Sequence, residues 1–261
     1  MRKRRFLYLI FSLIALIFLT ALSITYENSY LCFLLMIIVM IPNHLIKNKE
    51  RQITNEIISK YGFECEPYQY IESLMDYSKH CFLTKKQKLV YELYYALAYL
   101  DAGDFEEVKD ILLEIDKQTY KLDEMTKVLY LKAWCDYFFY NHQDEKMKLT
   151  LLKMKDIITY TRFNHFMNNY SIIYMLLEAK YYILTDTNLS RAKELFKNRK
   201  SLIPTKLSLI GSNYQMALLD IREKNYTAAK EKLKLVASKN ENLYIVRDAR
   251  KLLDDIDNLV L

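Results

Sequence analysis

The chain reads as an all-α protein: two N-terminal transmembrane helices followed by an α-α hairpin solenoid. Three observations predict this. The 261 residues hold only three glycines and three prolines, too few breakers for the many turns of an all-β fold. Residues 6–25 and 30–46 form uncharged, largely apolar runs near the length a bilayer core requires of a helix. Beyond residue 86 apolar residues recur at spacings of three and four, which is one face of a helix, and short polar breaks interrupt the pattern.

The N-terminal element comes first. "MRKRR" precedes the run Phe6–Thr25, a short "YENS" break follows, and the run Tyr30–Ile46 comes next. Lys47, Lys49 and Arg51 follow the second run, while the connection carries only Glu27. Basic residues stay on the cytoplasmic side. Residues 1–51 are therefore expected to form a membrane anchor of two helices, with both flanks in the cytoplasm. A cleaved signal peptide fits less well, because the first run exceeds the usual h-region of about 7–15 residues and a second run follows it.

Residues 52–86 are expected to be a helical connector. "ITNEIISKYG" reads as a helix ending at Gly62, and Pro67 opens another. Residues 87–261 then repeat one design. "QKLVYELYYALAYL" is broken by "DAGD" before "FEEVKDILLEI". Gly103 fits the helix end because glycine adopts the left-handed conformation freely, and Asp104 is placed to cap the next helix. Similar breaks fall at Asn141–Gln143, Thr185–Thr187 and Glu223–Asn225. Each first helix holds a small residue: Ala96, Cys135, Ala179 and Ala217. Each second helix holds Val108, Met147, Ala192 or Ala229 early on. Repeated hairpins at intervals of roughly 40 residues build a solenoid, and "ENLYIVRDARKLLDDIDNLVL" would be its capping helix.

Ala96, Tyr99, Gly103, Asp104, Phe105 and Val108 stand in the order of a tetratricopeptide repeat, and the stretch resembles that family. Ala217, Asn225, Tyr226 and Ala229 follow the order again without the glycine. The Thr185 hairpin is offset by about one residue, and the uneven intervals depart from the family's period of 34 residues. The resemblance implies that first helices line a groove for a peptide segment. The aromatic residues Tyr91, Tyr94, Tyr95, Tyr130, Trp134, Tyr137 and Tyr140 lie on first helices and are the candidate groove. Packing between hairpins is the competing role for each of them.

Other chemistry is thinly represented. Arg2, Lys3, Arg4 and Arg5 supply most of the net charge of +6, so no concentrated basic footprint for nucleic acid remains. His44, His80, His142 and His165 include no i, i+4 pair, and HExxH is absent. Three isolated glycines build no phosphate loop, and no GxSxG elbow occurs. The four cysteines contain no CxxC pair and read as free thiols. Asn188 and Asn225 lie in sequons but read as turn or cap residues. The Ile, Lys, Asn and Tyr bias fits an AT-rich bacterial genome. The expectation is a non-enzymatic adaptor or scaffold without cofactor or metal, anchored in the cell membrane and facing the cytoplasm. Its partners would be a protein or peptide and the bilayer. A peptide-responsive sensor or immunity-type membrane protein is the alternative.

Overall fold

The computed structural model describes residues 10, 12–15, 17–18, 20–21, 24–25, 29–81, 83–160, 167–197 and 205–260. Among them all regular structure is helical. The chain divides into two compact units: Met1–Lys60 with Glu72–Leu83, and Tyr61–Ile71 with Thr84–Leu261.

In the first unit most of the apolar run at 6–25 lies on or beside residues outside the described ones. Where side chains are described, Leu13, Ile14, Ile17, Phe18 and Ile24 are exposed. Helix α1 (Ser29–Glu64) begins in this unit and ends in the second. The sequence suggests a stop near Ile46 and a new helix at Ile53, but α1 is continuous through both points. Strong helix formers at 45–60 sustain it. Helix α2 (Pro67–Lys79) follows, and within this unit the Tyr77 hydroxyl donates to the Glu50 carbonyl at 3.2 Å. Among the described residues no helix is long and apolar enough to cross a membrane.

The second unit is built of adjacent helix pairs. They are α3 (Lys85–Ala102) with α4 (Phe105–Asp116), α5 (Glu124–Tyr140) with α6 (Asp144–Tyr160), α7 (Met167–Thr185) with α8 (Leu189–Lys197), and α9 (Lys206–Arg222) with α10 (Tyr226–Ala237). A single helix, α11 (Tyr244–Val260), completes it. Every second helix packs on its own first helix and on the next one. Three first helices start on side-chain caps. Thr84 forms a capping box with Gln87, Asp123 accepts from the Thr126 N–H at 2.8 Å, and Thr205 accepts from the Ser208 N–H at 3.1 Å.

All four hairpins turn in one way. Gly103, His142, Asp186 and Lys224 each hold positive φ, between 53° and 85°. The residue after each sends its N–H five residues back, from Asp104 to Tyr99, Gln143 to Phe138, Thr187 to Tyr182 and Asn225 to Asp220, at 2.8–3.0 Å. This is the Schellman closure of a helix end. Only the first hairpin uses glycine. There a Cβ would stand 2.8 Å from Tyr244 Cδ2, so the close approach of α11 adds to the backbone reason for glycine. Asp104 makes no cap to α4, contrary to its sequence reading. Its carboxylate instead accepts from the Tyr68 hydroxyl at 2.9 Å. Asn225 does cap, accepting from Ala228 N–H.

Ala96, Cys135, Ala179 and Ala217, and Val108, Met147, Ala192 and Ala229, all have 0% exposure. Small side chains at these crossings let helices approach closely, and larger neighbours such as Leu93, Leu112, Met154 and Leu233 fill the gaps at interior density.

The first helices also close on themselves. Helix α3 packs on α5, α5 on α7, α7 on α9, α9 on α11, and α11 on α3. Phe105 meets the Tyr244 ring edge-on at 5.0 Å, and Arg247 Nη2 donates to the Ala102 carbonyl at 2.6 Å. The segment Tyr61–Ile71 clasps the closure. Tyr61 donates to Asp101 Oδ2 at 2.6 Å and stacks on Tyr70. Asn240 donates to the Cys65 carbonyl at 3.2 Å, and Asn242 to Glu66 at 2.8 Å. Cys65 is buried among Ile210, Tyr214, Leu243 and Val246.

Candidate functional site inside the ring of first helices

Helical periodicity turns one stripe of each first helix toward the centre of the ring. On α5 that stripe is polar. Asp136, next to the small Cys135, is 5% exposed, and it receives Lys132 Nζ and Lys180 Nζ at 2.6 Å each. Lys180 is next to Ala179 on α7 and is also buried. Burial alone would raise the Asp136 pKa, but the two lysines outweigh it and hold the carboxyl at about 2. Burial likewise works against charge on Lys132, and Asp136 overcomes it, so the lysine pKa is raised. Asp101 on α3 behaves differently. Burial raises its carboxyl above the ordinary range, although the Tyr61 hydroxyl and both lysines favour the anion. Burial, assisted by Asp136, pushes the Cys135 thiol up, away from thiolate chemistry.

Beside this cluster lies a cavity of about 240 Å³. Three first helices contribute the same two repeat positions to its wall: Phe139 and Tyr140, Ile183 and Leu184, Ile221 and Arg222. Leu218, Tyr214, His142 and, from α11, Tyr244, Asp248 and Leu252 complete it. Tyr214 donates to Asp248 Oδ2 at 2.5 Å. Tyr140 and Tyr244 meet edge-on at 5.2 Å. Burial, then the charges of Asp136 and Asp101, push the Tyr140 hydroxyl well above its usual pKa. His142 and Arg222 are exposed and form the rim.

The seven aromatics read from the sequence divide among several surroundings, and none is exposed. Tyr140 lines the cavity. Tyr130 and Tyr137 are buried in the core shared by α3 to α7, and Tyr130 donates to Asp116 Oδ1 at 2.9 Å. Trp134 stacks on Phe138 at 5.1 Å and meets Tyr137 edge-on at 5.5 Å. Tyr91 is buried and meets Tyr94 edge-on at 6.3 Å. Tyr95, like Tyr91 and Tyr94, bears on the buried hydroxyl of Tyr70. Sequence reasoning missed Asp101, Lys132, Asp136, Lys180, Tyr214, Tyr244 and Asp248. A signal existed for the middle of this set. A charge directly follows the fully buried small residue in "WCDYF" and in "EAKYY".

Among the described residues no group of three or more His, Cys, Asp and Glu could hold a metal ion. Cys65, Cys81 and Cys135 are free thiols. No family model, curated protein or solved structure matches the chain.

Proposed function

We propose that the protein is a membrane-anchored helical-repeat module of tetratricopeptide type that binds a protein or peptide partner in the cytoplasm. The observation that carries this reading is the cavity wall. Equivalent positions of three successive hairpins, and not one irregular pocket, supply it. A repeat array presents such positions as a continuous binding face. The four identical turns and the fully buried small residues support the tetratricopeptide resemblance.

The anchor rests on the apolar N-terminal sequence, its basic flanks, and the exposure of Ile14, Phe18 and Ile24 at 59–76%. Apolar side chains so exposed on one segment mark a surface that lipid or protein covers. Tethering confines encounters to the membrane surface and raises effective concentration. No catalytic role is proposed.

Ring closure gives the alternative, a peptide-responsive sensor, its own support. A cavity of about 240 Å³ suits one residue of a peptide better than a long extended segment. A photoreactive residue placed at Arg222 in cells tests the binding reading. A discrete adduct from position 222, and none from the exposed Tyr160 on α6, is expected. The same adducts from both positions, or none from either with the protein folded, would contradict it.

A further inference from the structure

We propose that the cavity binds a primary ammonium group carried on an apolar body, with Asp248 as its anion. This rests on the partner-binding reading and names the chemistry of that same site.

The carboxylates of the ring differ in their counter-charges. The buried carboxylates Asp136 and Asp220 both have lysines: Asp136 receives Lys132 and Lys180 at 2.6 Å, and Asp220 receives Lys232 at 2.5 Å. Asp248 is half-buried and has no Lys or Arg at ion-pair distance among the described residues. Among the described residues the bond its carboxylate accepts comes from the neutral Tyr214 hydroxyl. A carboxylate offers about four acceptor positions, so most of its capacity is unused. Its neighbour Arg247 is turned away and donates to the carbonyls of Ala102 and Glu241.

Two cations stand near the cavity: Arg222 at its rim, and Lys180 over the Phe139 and Tyr140 rings at 5.5 and 5.7 Å, which is already paired with Asp136. The wall between them and α11 favours a cation. Asp248 lines the cavity together with Tyr214, Tyr140 and Tyr244, and its charge is among the causes that, after burial, oppose ionisation of all three. Aromatic faces and a carboxylate together attract an ammonium group, most strongly where water is displaced. Ile183, Leu184, Leu218, Ile221 and Leu252 offer no polar side-chain partner and suit an aliphatic side chain. Arg222 stands at the exposed rim and makes no ion pair among the described residues. It is placed to take an acceptor, such as the carbonyl that follows an amino-terminal residue. Two sources supply this chemistry: the free N-terminus of a peptide that begins with an apolar residue, and a lysine side chain.

The test uses the full chain in detergent micelles and three small probes followed by NMR titration. Leucinamide presents a free ammonium on an apolar residue. N-acetylleucinamide lacks the charge. Nα-acetyllysinamide presents the side-chain ammonium alone. Saturable binding of leucinamide, with no binding of its acetylated form, is expected. Asp248→Asn should weaken it by about tenfold or more, since a charge-assisted contact is lost. Leu252→Trp, which fills the cavity without touching the charge, should abolish it. A thermal midpoint for each variant confirms that it is folded. Preference for the lysine probe would support the site and assign its source to a side chain. Equal binding of the acetylated probe, undiminished binding to Asp248→Asn and to Leu252→Trp, or no saturable binding of either amine would overturn the proposal. The probes need no protein partner. Amine binding without a cross-linked partner would therefore sink the adaptor reading and leave this one standing.

Discussion

Two seams inside the ring use the same residue types to opposite ends. Between α5 and α7, Asp136 takes both Lys132 and Lys180, so each of its oxygens already holds a cation of the fold. Between α9 and α11, Asp248 takes a tyrosine hydroxyl, with no lysine or arginine at ion-pair distance among the described residues, and lines a cavity. A buried carboxylate that holds two lysines has its charge fully compensated and attracts no further cation. Its part is to fix which helix faces are neighbours, since any other register would strand a charge. A carboxylate with one neutral donor keeps its capacity for a ligand. The difference lies in what each carboxylate already holds, because both are set among aromatic rings.

Replacing each carboxylate breaks the comparison most sharply. Asp136→Ala leaves two lysines facing each other without an anion, and should lower stability by about 3–5 kcal/mol in denaturant unfolding. Asp248→Ala removes one charge-assisted hydrogen bond from the buried Tyr214 hydroxyl and should cost about 1.5–3 kcal/mol. Equal losses would erase the distinction between the seams.

The pH response follows from the same contrast. The Asp136 carboxyl falls from its ordinary 3.8 to about 2 on folding. As pH drops, the unfolded chain takes up the proton first. Its contribution is therefore complete above about pH 4 and is lost as pH falls through about 2, an effect of about 2 kcal/mol. Asp101, whose value is raised, acts in the opposite sense. Comparing the wild type with Asp136→Asn across that window isolates the Asp136 contribution, and parallel curves for the two would contradict the assignment.

The turns offer finer tests. Gly103→Ala forces a side chain into φ of 85° against Tyr244, and should cost about 1–3 kcal/mol by thermal unfolding. Lys224 holds φ of 58° at an exposed position. Lys224→Gly should leave stability unchanged or raise it by up to about 1 kcal/mol. A loss there would mean that the Lys224 side chain contributes to the turn.

The hairpins were legible in the sequence because local signals set them. Gly103 marks one turn, and the polar breaks at Asn141, Thr185 and Glu223 mark the others. The eight small and medium residues mark the crossings by their spacing alone. Ring closure was not legible, since it joins Phe105 to Tyr244 and Tyr61 to Asp101, partners with no shared local pattern. The α5–α7 charge cluster left a faint mark as charges beside small residues. Asp248 left none, because the polar stripe of α11 reads as a solvated face until the fold turns part of it inward. The aromatic-rich first helices were visible, but sequence alone did not separate Tyr140 at the cavity from Tyr130 and Tyr137 in the core.

Closure of the ring underlies both the cavity and the contrast between its seams. A double-mutant cycle on Phe105→Ala and Tyr244→Ala measures it directly. These residues belong to the first hairpin and to the last helix, and they touch only if the ring is closed. A closed ring should give a coupling of about 0.5–1.5 kcal/mol in unfolding free energy, the size expected for an edge-on aromatic pair. Strict additivity of the two substitutions would mean that the ring stands open.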